Sequence, residues 1–108
     1  MERISFTDVP CNTQVNLNAK IHKNVKILVN KPMTLFISAA DDGDSGIILL
    51  ENYDYPNNAY PIWLSQSFEI NMGDRSVAND GLLEGFHFHI INWQMMGVHL
   101  FFTYSPTL

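Results

Sequence analysis

Residues 13–22 read TQVNLNAKIH, and the alternation in that stretch leaves little choice of structure. Val15, Leu17, Ala19 and Ile21 fall on one side of an extended chain, with Asn16, Asn18, Lys20 and His22 on the other. Successive β-carbons of a strand point to opposite faces, so a period of two predicts a strand with one side in a core and one in water. Shorter versions of the pattern predict strands over residues 3–8, 25–29, 33–40, 46–51, 62–70, 85–91 and 98–104. Between them stand HKN, NKP, DDGDSG, NYDYPNNAYP, NMGDRS and NDG, all rich in residues that accept turn geometry. No window keeps a helical period for long; segment 74–84 has room for one helical turn, and Gly81 weakens even that. The expectation is an all-β chain: an antiparallel β-sandwich, jelly-roll-like, of seven to eight short strands.

The chain has 108 residues, 46% of them hydrophobic, enough for a single β-sandwich domain over residues 1–108 with its own core. Its one cysteine, Cys11, excludes a disulfide within the chain. No charged segment followed by an apolar one opens the sequence, and no apolar run is long enough to cross a bilayer. Those features predict a soluble protein, made in the cytoplasm, with no membrane span. Net charge is −5 and unevenly spread: residues 1–31 carry five Lys/Arg against two Asp/Glu, whereas residues 32–108 carry one, Arg75, against nine. Lys20, Lys23, Lys26 and Lys31 therefore form a basic strip in an acidic chain. Four cations neutralise too few phosphates for nucleic acid to be an expected partner. Solvated lysines that keep strand edges from aggregating account for the strip, and the alternative is that it meets the acidic remainder of a neighbouring copy.

Residues 85–102, GFHFHIINWQMMGVHLFF, hold three of the four histidines. Suppose they form a hairpin around NWQMMG, with Phe86, Phe88 and Ile90 on the core face beside Val98, Leu100, Phe102 and Tyr104. Ile90 then pairs with Val98, His89 lies opposite His99, and His87 stands two residues along the same face. Cross-strand β-carbons are about 5 Å apart and i, i+2 neighbours about 7 Å, so three imidazoles can converge on zinc or iron. One coordination position would stay open, as in a metal-dependent enzyme, although residues 90–96 supply no carboxylate to orient the ligands. The competing reading of this face is contact. Phe101, Ile91 and Trp93 share it, and a strand face mixing histidine with large apolar side chains packs against a second subunit or another partner.

Two other constellations carry chemistry. DDGDSG places Asp41, Asp42 and Asp44 in one turn, the oxygen-rich composition that calcium takes. Twelve positions from Asp41 stands Asn52 rather than the Glu of an EF-hand, and a turn that uses Asp and Gly for backbone geometry explains the motif as well. The loop after the fifth strand gathers Tyr53, Asp54, Tyr55, Asn57, Asn58, Tyr60 and Trp63: planar rings beside amides and an acid, suited to docking a protein or stacking a glycan. Its bland reading is that the tyrosines cap the core. Cys11, Ser65 and Ser67 have no acid–base partner that the sequence supplies.

Large apolar residues occupy both sides of several strands: Phe36 between Leu35 and Ile37, Trp63 between Ile62 and Leu64, Phe101 between Leu100 and Phe102. That exceeds what one inner face per sheet can bury. The expected function is a non-catalytic binding or structural interaction module without a resident cofactor, the subunit of a homo-oligomer that is a virion or appendage component or a partner-binding protein. The alternatives are a lectin-like protein using the Tyr53 to Trp63 set, and a metal-dependent enzyme at His87, His89 and His99.

Overall fold

A computed structural model describes residues 5–58, 60–65, 82–83, 87–97 and 99–107, and for residues 82, 99, 106 and 107 the backbone alone. Among these residues there are nine strands and no helix: β1 Thr7–Asp8, β2 Gln14–Asn18, β3 Asn24–Val29, β4 Met33–Ser38, β5 Ser45–Asn52, β6 Ile62–Leu64, β7 Leu82–Leu83, β8 Phe88–Met96 and β9 His99–Thr107. They form a five-stranded sheet, β1-β3-β5-β8-β9, and a four-stranded sheet, β2-β4-β6-β7.

The first six strands alternate between the sheets, odd ones in the first and even ones in the second, and each of β1 to β4 runs parallel to the strand two places on. The chain therefore winds as a flattened coil of three turns, each giving one strand to each sheet. Antiparallel pairing begins only with β7 on β6 and with the β8–β9 hairpin, which closes the five-stranded sheet on β5. The all-β expectation holds, but the antiparallel, jelly-roll-like one does not. Alternation reports which residues face inward and is silent on the direction of the neighbouring strand. Parallel neighbours need a crossover of about a dozen residues, and here the intervening strand of the opposite sheet supplies it.

Register stacks the turns. Val15, Leu35 and Leu64 lie side by side across β2, β4 and β6, and Val25, Ile48, Ile91 and Tyr104 across β3, β5, β8 and β9. All seven are buried and belong to one hydrophobic cluster between the sheets. Inside the first predicted strand the alternation persists through Ala19, but Ile21 is 69% exposed. The strand stops because the Asn18 carbonyl accepts the N–H groups of Ile21 (3.0 Å) and His22 (2.7 Å), while Asn18 N–H donates to His22 Nδ1 at 3.0 Å. Residues 82–83 pair with β6 as a strand where a helical turn had room; the rest of segment 74–84, with Phe86 and Val98, lies outside the described residues.

The last hairpin departs most from expectation. β8 continues through the predicted loop to Met96, and the turn is two residues long, with Met96 opposite His99 and Gly97 at φ +65°. Its burial phase is also reversed: His89, Ile91 and Trp93 point into the core, whereas Phe88 and Ile90 are half-buried on the outer side. Both phases of GFHFHIINWQMM are apolar, so periodicity alone does not choose between them. Trp93 is opposite Phe102 and Ile91 opposite Tyr104, and burying these larger pairs decides it.

Opposite Trp93 on the other neighbour stands Gly46. A β-carbon there would fall 1.9 Å from the Lys23 carbonyl oxygen and 2.7 Å from Trp93 Nε1. That carbonyl accepts Ile47 N–H at 2.9 Å and cannot yield without breaking the ladder. Gly46→Ala is expected to cost about 2 kcal/mol or more, the range for overpacking. Gly97→Ala meets no atom within 4 Å and strains only its left-handed backbone, at about 1 kcal/mol. Urea unfolding of the two variants checks this order, and equal losses would contradict it.

Candidate binding face

The outer side of the five-stranded sheet is assembled from residues that alternate with the core. Four rows cross it, each in register. Leu28, Glu51 and Phe88 form the first, and Lys26, Leu49, Ile90 and Ser105 the second. Asn24, Ile47, Asn92 and Thr103 form the third, and Ser45, Gln94 and Phe101 the fourth. The first two rows are mainly aliphatic and aromatic, the last two mainly amide and hydroxyl. A sheet covered on one side normally presents a polar outer face; this one is divided in half.

At the apolar end, Glu51 lies 3.8 Å from Lys26 Nζ and 3.3 Å from His87 Nε2. The His87 ring stacks on Phe88 with centroids 4.2 Å apart and faces Tyr55 at 6.4 Å. Beyond it the loop is organised by buried Asn52, whose side-chain N–H donates to the Asn58 carbonyl at 2.9 Å and whose side-chain oxygen accepts Asp54 N–H at 3.3 Å. The Asp54 carboxylate in turn accepts from the Asn57 and Asn58 amides. Sequence reasoning grouped Tyr53, Asp54, Tyr55, Asn57, Asn58, Tyr60 and Trp63 as one recognition surface, and the structure divides them. Tyr53 is 74% exposed, Tyr55 packs beside His87, and Tyr60 rests against the core. Trp63 stands on the outer side of the other sheet, opposite Thr34.

The three histidines are not brought together. His89 is buried between the sheets with Nδ1 2.5 Å from the Tyr104 hydroxyl, His87 stands outside on Glu51, and His99 pairs with Met96 at the hairpin turn. His89 pairs with Pro106, at the far end of β9 from His99; at the rise of an extended strand the separation is roughly 23 Å. The expected site failed because it rested on a pairing of Ile90 with Val98, whereas Ile90 pairs with Ser105. Among the described residues, no group of three or more His, Cys, Asp and Glu side chains is placed to hold a metal ion. Of the expected interface residues, Ile91 and Trp93 belong to the core, and Phe101 alone reaches the outer face.

Asp41, Asp42 and Asp44 are likewise separated by their bonds. The Lys20 ammonium lies between two of them, 2.5 Å from Asp41 Oδ2 and 3.0 Å from Asp44 Oδ2. Asp42 turns away to accept Gly97 N–H at 2.8 Å. Backbone bonds complete the clamp: Gly43 N–H to the Met95 carbonyl (2.9 Å) and Met95 N–H to the Asp44 carbonyl (2.8 Å). The turn thus holds the β8–β9 hairpin to the β4–β5 connection, with a lysine where calcium was the alternative.

The amide half of the face encloses a groove of about 550 Å³. Asn24, Asn92, Gln94, Thr103 and Phe101 line it, with Lys23 at its margin. Sequence reasoning missed these positions because each reads as the ordinary wet side of a strand, and only the register sets them in adjoining rows. Comparison with family models, with curated proteins and with solved structures gave no match to this chain.

The clamp carries a pH signature. The Asp41 N–H and then the Lys20 ammonium hold the Asp44 carboxyl below the usual carboxylate range, and the two carboxylates hold Lys20 above its ordinary value. A depressed carboxyl stabilises the fold above its unfolded value, about 3.9, and that stability is lost as pH falls through the folded value. The raised Lys20 contributes below its unfolded value and loses its contribution as pH rises through the folded one. Asp44→Asn should therefore melt lower than the parent at pH 7, with the gap closing below about pH 4. Melting temperatures from pH 2 to 8 check this, and a gap constant across that range would contradict it.

Proposed function

We propose that this chain works by binding rather than catalysis, as a subunit of a homo-oligomer, and that the apolar half of the outer face is where copies meet. The observation that carries the reading is the pair of adjoining rows containing Leu28, Leu49, Phe88 and Ile90, on the side of the sheet that the core does not use. Leu28 is 49% exposed, and with half-buried Leu49, Phe88 and Ile90 it forms an apolar strip broken by Glu51, which stands between Leu28 and Phe88. Such a strip on a sheet already buried on its inner side favours a second layer.

A two-fold axis across the strip sets it against itself, the commonest way for identical chains to associate. The charges within the two rows suit that arrangement, because Lys26 and Glu51 are of opposite sign and can pair across an axis as they do within the chain. A second copy is therefore a better match than a uniformly charged partner.

Native mass spectrometry of wild type, Leu28→Glu and Leu49→Glu tests the reading. Wild type is expected as a dimer or larger closed assembly at tens of micromolar, and both variants as monomers. Leu28 is the safer position for folding because its side chain is already half in water; circular dichroism and melting temperature of that variant should match wild type. A wild-type monomer at 100 µM, or a folded Leu28→Glu chain that still assembles fully, would overturn it.

A further inference from the structure

The geometry points to the amide half of the same face as a site for an acidic sugar, a saccharide unit carrying a carboxylate. This goes beyond the oligomer reading and does not rest on it, since the two halves of the face are built from different rows. The groove has the volume of a small-ligand site, about 550 Å³, within the usual range of roughly 300–1,000 Å³. Its footprint follows from the register. The row Asn24, Ile47, Asn92, Thr103 crosses four strands, and Ser45, Gln94, Phe101 adjoins it. At ordinary strand spacings the patch measures about 14 by 7 Å, the area of one or two pyranose rings.

Three features select the ligand class. Asn92, Gln94 and Thr103 are exposed, and each amide offers a donor and an acceptor together, the combination that engages neighbouring hydroxyl groups. Phe101 and Ile47 supply apolar surface at the same level, where the C–H face of a sugar ring can rest. The one charged side chain lining the groove among the described residues is Lys23, in a chain whose net charge is −5. Its ammonium is 3.7 Å from Asp44 Oδ1, while the other oxygen of that carboxylate takes Lys20 at 3.0 Å and the Asp41 N–H at 2.9 Å. Lys23 is thus only loosely engaged and can turn to a carboxylate in the groove.

An extended peptide fits less well. On the face of a sheet the main-chain groups are spent in the ladder, so a peptide backbone finds no strand edge to pair with. A polyhydroxylated ligand brings its own polar groups to the side chains instead.

Saturation-transfer NMR and calorimetric titration of the full chain with sodium glucuronate, with N-acetylneuraminate, and with neutral methyl glucoside test the site. At least one sugar acid is expected to bind with millimolar Kd, and methyl glucoside at least about tenfold more weakly, since a charge-assisted hydrogen bond is worth that much. Lys23→Gln, at a half-exposed position where folding is not at stake, should lose the acid preference; Phe101→Ala should weaken both classes of sugar. Ser105→Ala, on the same face outside the groove, should change nothing. The assignment is overturned if neither acid saturates by about 20 mM, if Lys23→Gln binds them unchanged, or if the neutral glycoside binds as tightly. The oligomeric state of the same samples reports separately on the other half of the face.

Discussion

Inward-pointing side chains of successive turns sit beside one another across parallel strands, and the two-layer structure depends on that stacking. Val25, Ile48, Ile91 and Tyr104 form one such level, and Val15, Leu35 and Leu64 another on the facing sheet. A slip of one residue in β2, β3 or β8 would bring Asn16, Lys26 or Asn92 to a buried position, at the cost of a buried polar group without a designed partner. Register is therefore held by the core and needs no repeated sequence. That is how a coil of three turns arises in a chain without internal similarity between them.

The places where polar groups do enter the core show how closely the coil is closed. His89 stands among aliphatic neighbours, level with Leu50, and its ring nitrogen meets the Tyr104 hydroxyl. Asn52, at the end of β5, turns its amide inward to hold the following loop. At the other end, the clamp of Lys20 with Asp41 and Asp44, and of Asp42 with Gly97, ties the hairpin to the coil. These contacts fix the five-stranded sheet at both ends. Its outer face then presents two kinds of surface, one mainly apolar and one amide-rich, whose residues are spaced by the ladder beneath them.

Much of the fold was legible in the sequence. TQVNLNA reads as a half-buried strand and is one, because polar and apolar residues alternate there without conflict. Most strands and turns follow for the same reason. What alternation cannot carry is which strand lies beside which, and in which direction, since a side chain faces inward equally well in either case. GFHFHIINWQMM shows the second limit. With apolar residues in both phases, its orientation is set by Trp93 and Ile91 finding Phe102 and Tyr104, contacts made only after the fold forms. The three-histidine expectation failed with that phase. The groove lay hidden for the complementary reason: Asn24, Asn92 and Thr103 stand far apart in the chain and are unremarkable one by one, and only parallel pairing of β3 with β5 and antiparallel pairing of β8 with β9 brings them into a row.

The parallel winding is the claim on which the rest stands, and interstrand NMR contacts between β2 and β4 test it most directly. In the parallel register Asn16 lies beside Phe36 and Asn18 beside Ser38. Backbone cross-peaks joining Asn16 to Phe36 and Asn18 to Ser38 together are the result this account requires. An Asn16–Phe36 contact accompanied by Asn18–Thr34 would mean an antiparallel pair, and with it the stacked coil would fall.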